Sequence, residues 1–356
     1  MRQTYADTVF YSFMVKYDRL RYIINHAYGN SSASEINLFI DLYSIYKRLY
    51  NSNDLVFSQD STIAGQLLRI CNHYRLFFRS TYNVECNIFL IDSANCPSVN
   101  AKLLYGYNRS YIEQMKYNNM LTDMVNGTAS ILSKICNFIH NVSYVYSDFE
   151  TGVVIRDIIN KLNTPGIPNL IITKDVYNYQ LVSESTYLLR LKKHNGDESY
   201  IISPENVMES YLSAAGFKDV NINKYKLYPH LIPIMMTFTK LPERSIKSII
   251  NSNVIANQLH CLMDQEFIIS NSVNLNVKYY YDILYNTCQQ VKDIPFPIIE
   301  SRFKAISIDY QYNICYNTIN TNTDFMGIVN IYDPELLRRY LEEYFSAEEI
   351  GMILNL

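Results

Sequence analysis

The sequence has no tryptophan, no long apolar run, no histidine or cysteine pairing and almost no excess of either charge. Its 31 Lys+Arg against 34 Asp+Glu leave a formal charge of −3 over 356 residues, so no basic domain announces a nucleic-acid binder. No apolar stretch approaches the ~20 residues needed to cross a bilayer. The opening MRQTYADTVFYSF lacks a basic region followed by an apolar one, and a soluble protein without a recognisable secretion signal is expected. Cys71, Cys86, Cys96, Cys136, Cys261, Cys288 and Cys315 stand singly, without CxxC spacing, which argues against a disulfide framework or a zinc site and fits a reducing compartment. The 6 His offer no i, i+4 pair, so a histidine metal site or a Ser/His/Asp hydrolase is disfavoured. No GxGxxG or phosphate-loop sequence is present, which argues against a nucleotide cofactor.

What is present is apolar and aromatic. With 48% hydrophobic and 18% charged residues the chain can bury a large core. Its 33 Tyr and 16 Phe, with abundant Asn and Ile, are a skew toward A/T-rich codons, the kind of genome that viruses of low-GC hosts carry.

A short apolar run closed by an acid occurs three times: INLFID ending at Asp41, NIFLID ending at Asp92 and NLIITKD ending at Asp175. Continuous runs of this length separated by helical sequence are the pattern of buried parallel strands. Helical periodicity covers 5–30, with Val9, Phe10, Phe13, Met14 and Tyr17 on one face, and Thr62–Arg79, the crossover between the first two runs. A helix around Met120–His140, an extended run Val142–Tyr146 and a helix starting near Asp148 follow. The expected fold is α/β: a central, mainly parallel sheet flanked by helices, with a helical N-terminal extension and a helical C-terminal region.

Ligands in such a sheet gather outside the carboxyl ends of its strands. Three strand-end carboxylates joined by Asp148 and Glu150 at a helix start would repel one another unless a divalent cation neutralised them, and Mg²⁺ held by carboxylates and water suits such a rim. A single Asp after a strand is ordinarily a helix N-cap or turn residue. Both roles, ion ligand and helix cap, suit these acids.

Over about residues 36–251 the order of elements resembles the flap endonuclease or 5′-3′ exonuclease family, PIN-like, in its phage-encoded form. Residues LFIDLYSIYKRLY (38–50) resemble the family's first strand and following helix, and NIFLIDSANCPSVNAKLLYGYNRS (87–110) its second strand and the opening of its helical arch. Asp148-Phe149-Glu150-Thr151 stands where the family has Glu-Ala-Asp-Asp, with two acids where three are expected. ITKDVYNYQLV (172–182) is similar to Thr-Asp-x-Asp-Leu, with Asp175 in place and Tyr177 where the second Asp belongs. In 229–251 no acid occupies the later metal positions, and the Gly-rich hairpin is reduced to Leu241-Pro242-Glu243-Arg244.

The resemblance implies catalysis by Asp41, Asp92, Glu150 and Asp175, a metal centre of Asp41, Asp92, Asp148, Glu150 and Asp175, and nucleic-acid contacts from Lys102, Tyr107, Arg109, Lys116, Arg244 and Lys247. It implies Mg²⁺ or Mn²⁺ if the centre is active, and none otherwise. The partners implied are DNA or RNA and other viral replication, transcription or virion proteins, with no membrane, in the cytoplasm of a host cell or in a virion. The implied organisation is a helical extension (1–34), a nuclease-like core (35–182) with an arch at 97–125, a hairpin and degenerate helix-hairpin-helix region (183–260), and a C-terminal region (261–356).

Two activities fit: a 5′-nuclease with weak or absent hydrolysis, or an inactive pseudo-nuclease serving as a structural or binding subunit. The near-neutral charge sharpens the choice, because no large basic surface compensates for the missing hairpin and second set of acids. Elsewhere, IPFPII (294–299) reads as a linker or sheet edge because of its two prolines. PELLRRYLEEYF (334–345) reads as an amphipathic helix packed on the domain, with Leu336, Leu337, Tyr340, Leu341 and Tyr344 on its apolar face.

Overall fold

A computed structural model describes residues 14–28, 34–51, 60–93, 126–147, 149–162, 166–190, 200–214, 232–239, 277–287, 294–315, 334–347 and 350–351. Its centre is a six-stranded sheet of β1 (Glu35–Asp41), β2 (Glu85–Asp92), β3 (Val142–Tyr146), β4 (Asn169–Thr173), β5 (Thr186–Arg190) and β6 (Tyr200–Ile202), in the order β3-β2-β1-β4-β5-β6. All neighbours are parallel except β5 and β6, which pair antiparallel. This is the mainly parallel α/β sheet that the apolar runs and the family resemblance predicted. β1 and β4 lie at the centre with both faces covered, so their sequences are continuous apolar runs rather than alternating ones.

Alternate residues of each strand feed two apolar layers. Leu38, Ile40, Ile88, Leu90, Leu170 and Ile172 pack on one face with α1 (Tyr17–Tyr28), α2 (Leu42–Asn51), α3 (Asp60–Tyr82) and the helical residues 126–135. Phe39, Phe89, Ile91, Ile171 and Leu188 pack on the other with α4 (Thr151–Leu162), α5 (Val207–Ala214) and α6 (Ile232–Thr239). Phe39 and Phe89 stack in the second layer with ring centroids 5.1 Å apart. At the amino ends of the strands a polar chain fixes the register: Asn87 donates to Asn37 (3.2 Å), Asn37 to Asn169 (3.0 Å) and Asn169 to Thr186 (3.3 Å). A one-residue slip of any of these strands would break that chain and turn its apolar face outward. Asn83 ends α3 in a left-handed conformation (φ 54°), and the Val84 amide reaches back to the Phe78 carbonyl at 3.3 Å, a helix stop that delivers the chain into β2.

Some local expectations are corrected. IPFPII is not a linker: α8 (Phe296–Ile306) starts inside it, with Pro295 as N-cap and Pro297 in the first turn, where a missing N–H costs nothing. It follows α7 (Val277–Thr287) and leads into α9 (Ile308–Cys315), whose Ile308 joins the second apolar layer. α5 begins at Val207 after a turn in which the Ser203 amide donates to the Asn206 side chain at 2.9 Å. In α10 (Pro334–Tyr344) the expected amphipathic helix forms; Leu337 and Leu341, with Phe345 beyond its end, enter the first layer, while Leu336 faces solvent.

Candidate functional site at the carboxyl rim of the sheet

The chain leaves β1 toward β2 on one side and β4 continues on the other, so the direction of winding reverses between β1 and β4. In open parallel sheets the crevice at such a reversal, outside the carboxyl ends of the strands, is where ligands bind. Asp41 is the last residue of β1, and Thr173, the last of β4, lies beside it.

The Asp41 carboxylate is buried and surrounded by hydroxyl and amide donors. Oδ2 accepts from Ser44 Oγ (2.5 Å) and Thr173 Oγ1 (2.8 Å), and Oδ1 from the Ser44 amide (3.3 Å) and Thr151 Oγ1 (3.4 Å). Because α2 starts at Leu42, the bond to the Ser44 amide makes Asp41 its N-cap. Asp175 caps in the same way, accepting from the Tyr177 amide at 3.0 Å at the head of the 3₁₀ turn Val176–Leu181. The local role ordinary for an acid after a strand is thus filled by both residues. Burial raises the Asp41 carboxyl above the usual carboxylate range; the Ser44 hydroxyl opposes this, and the charge of Asp175 adds to the rise. Thr173 Oγ1, which donates to Asp41, also bonds the Asp175 amide, so one hydroxyl joins the segments that carry the two acids.

The other predicted acids are distributed differently. β1 and β2 pair with Asp41 opposite Ile91, so Asp92 lies one residue further on and has the opposite parity. Its Oδ2 accepts from Tyr144 (2.7 Å) and Tyr46 (3.5 Å), both on the first face. The next residue, Ser93, turns toward the crevice and hydrogen-bonds Thr151 Oγ1. Glu150 precedes α4, and its carbonyl accepts from the Val153 (2.9 Å) and Val154 (3.1 Å) amides. Asp175 stands two residues beyond the end of β4, with Thr173 at the strand end itself. Among the described residues no three His, Cys, Asp or Glu side chains are grouped so as to hold a metal ion. Asp148, Lys102, Tyr107, Arg109, Lys116, Arg244 and Lys247 lie outside the described residues, as does the arch at 97–125.

The crevice therefore joins Asp41 and Asp175 to Ser44, Ser93, Thr151 and Thr173. The sequence reading missed the four hydroxyls. Asp-x-x-Ser across Asp41–Ser44 is a helix-start signal that could have found one of them, and Thr173 two residues before Asp175 another. Thr173 Oγ1 also accepts from the Asp175 amide (3.0 Å) and from Asn178 Nδ2 (2.9 Å), which ties the 3₁₀ turn to the strand end. The amino ends of α2 and α4 both meet the crevice and present their positive dipole ends to it.

Neither a protein-family model nor a curated protein matches the sequence. Among solved structures the chain is similar to the catalytic core of Rad2 in complex with a DNA substrate, at 15% identity and a TM-score of 0.44, over 91% of this chain and 92% of that one. It is also similar to a bacteriophage T5 flap endonuclease in a pseudo-enzyme–product complex with DNA and metal ions, at 9% identity and a TM-score of 0.46, over 90% of this chain and 100% of that one.

The donor set can be tested against the metal that the family resemblance implies. Two carboxylates and several hydroxyls are hard oxygen donors of the kind that Mg²⁺ and Mn²⁺ take. They are enough for one ion. A pair of ions ~3.5–4 Å apart needs bridging and flanking carboxylates, and the described crevice has two acids, one of them already held by hydroxyl groups.

Proposed function

We propose that this chain is a viral, flap-endonuclease-like protein that binds nucleic acid at the carboxyl rim of its sheet, with weak or absent phosphodiester hydrolysis. The observation that carries this reading is the meeting of Asp41, Asp175 and the amino ends of α2 and α4 in the β1/β4 crevice. Helix amino ends attract phosphate, and a carboxylate pair beside them suits a divalent cation that bridges protein and phosphate. Asp41 and Asp175 would hold one such ion, with Glu150 and Asp148 as the next acids at the start of α4. When bound, the ion would supply charge neutralisation at a phosphate. The protein's own groups hold Asp41 in place through Ser44 and Thr173 and close the crevice floor with Ser93 and Thr151. Lys102, Tyr107, Arg109, Lys116, Arg244 and Lys247 are proposed as the contacts that track the nucleic-acid strand, with tyrosines stacking on unpaired bases.

The hydroxyl groups around Asp41 favour a second reading, an inactive pseudo-nuclease that keeps the fold as a binding subunit of a replication, transcription or virion complex. An ion entering the crevice has to displace the Ser44 and Thr173 hydroxyls or recruit them as weaker, neutral ligands.

Fluorescence anisotropy with a labelled 5′-flap DNA, a blunt duplex and single-stranded DNA and RNA tests the shared claim. Binding that weakens steeply with salt and prefers an end or flap is expected. Absence of binding to every one of these nucleic acids would refute it. Incubation of the bound flap with Mg²⁺ or Mn²⁺ then separates the readings: slow cleavage that Asp41→Asn abolishes selects the nuclease, and no cleavage selects the binding subunit.

A further inference from the structure

Of the predicted rim acids, Asp92 is the one whose surroundings depart furthest from those of a ligand. It is 0% exposed, and its Oδ2 accepts from the Tyr144 hydroxyl at 2.7 Å with the Tyr46 hydroxyl at 3.5 Å. Tyr46 belongs to α2 and is itself fully buried, and Tyr144 belongs to β3. Both rings pack into the apolar layer on the face of the sheet away from Phe39, Ile91 and Ile171. The main chain of Asp92 is fixed as well, because its carbonyl accepts from the Ser147 amide at 2.9 Å. The cause is parity. Ile91 is in register with Asp41, so the residue that reaches the crevice from the Ile-Asp-Ser sequence is Ser93, through Thr151.

From this geometry we infer that Asp92 is a structural acid, which joins α2 to β3 through two tyrosine hydroxyls on the far face of the sheet and does not serve as a ligand in the crevice. Its effect reaches the crevice indirectly, since α2 also carries Ser44, which holds Asp41. Tyr144 is correspondingly a hydrogen-bond donor whose ionisation is pushed far up, by burial first and by the Asp92 charge second. The inference deepens the proposed function by removing one acid from the ion site. It rests on that reading only in this respect, because its test is read in stability, which does not depend on nucleic acid.

The test uses the full chain in EDTA. Asp92→Ala removes the acceptor and Tyr144→Phe the donor of one and the same bond, so each is expected to lower Tm by about 2–5 °C, and the double variant by less than the sum of the two. Single effects that add, or an Asp92→Ala variant as stable as the wild type, would overturn the inference. If Asp92→Ala does not fold, Tyr144→Phe alone decides: it should lower Tm in EDTA, and a Tyr144→Phe variant as stable as the wild type would overturn the inference.

Discussion

Replacing Asp41 separates its capping role from its charge. Asp41→Ala removes the N-cap of α2, worth about 1 kcal/mol, and takes the acceptor from the Ser44 and Thr173 hydroxyls, about 1 kcal/mol each. These hydroxyls lie 2.5 and 2.8 Å from the carboxylate in a buried site. A loss of roughly 2–3 kcal/mol is expected. Asp41→Asn keeps a carbonyl that can cap and accept, and it removes a charge that burial and Asp175 disfavour, so its cost should stay below about 1 kcal/mol. The pH dependence has a definite sign. The folded protein holds the Asp41 proton more tightly than the unfolded chain, whose carboxyl titrates near 3.8. The stability that this group contributes is therefore complete below that value and is lost as pH rises through the raised folded value. Relative to wild type, Asp41→Asn should gain stability as pH climbs from about 4 toward neutrality. Urea unfolding of the three proteins in EDTA at a series of pH values measures this. Equal losses for Ala and Asn, or an Asn advantage that shrinks as pH rises, would refute the account of this site.

Three further outcomes follow from the packing. A methyl group on Gly152 would meet Ile308 Cδ1 at 2.5 Å and Asn178 Oδ1 at 2.8 Å, so Gly152→Ala should destabilise by about 1–3 kcal/mol despite its gain in helix propensity, measured by thermal unfolding. Asn37→Ala removes the middle of the asparagine chain and leaves Asn87 and Asn169 each short of a partner, at a cost of about 1–3 kcal/mol in urea unfolding. Leu341 of α10 is fully buried in the first layer, and Leu341→Ala should cost about 2–5 kcal/mol if this helix is part of the cooperative unit. A separate, earlier melting transition of α10 would show that it is not.

The sheet was legible because buried parallel strands write themselves as continuous apolar runs: INLFID and NIFLID mark β1 and β2 almost to the residue, and NLIITKD overruns β4 by two. The helix α10 was legible from its periodicity. Register was not. Whether Asp92 shares a face with Asp41 depends on a single-residue offset between strands 50 residues apart, which asparagine pairing at their amino ends helps to set. An apolar run closed by Asp looks the same on either parity. The position of Asp175 was displaced for a related reason: β4 ends at Thr173, and the acid belongs to the turn that follows. The start of α8 was hidden by prolines that break a helix interior but fit its first turn. The hydroxyls around Asp41 come from four separate segments, and nothing local in Ser93 or Thr151 signals that the two meet across 58 residues of sequence.

The central claim is that the crevice between β1 and β4 takes at most one divalent cation, through Asp41 and Asp175. Counting Mn²⁺ by electron paramagnetic resonance on the full chain, with 5′-flap DNA present, tests it most directly. No more than one bound ion, lost in Asp41→Asn and retained in Asp92→Asn, is the predicted result. Two magnetically coupled ions whose binding requires Asp92 would contradict it.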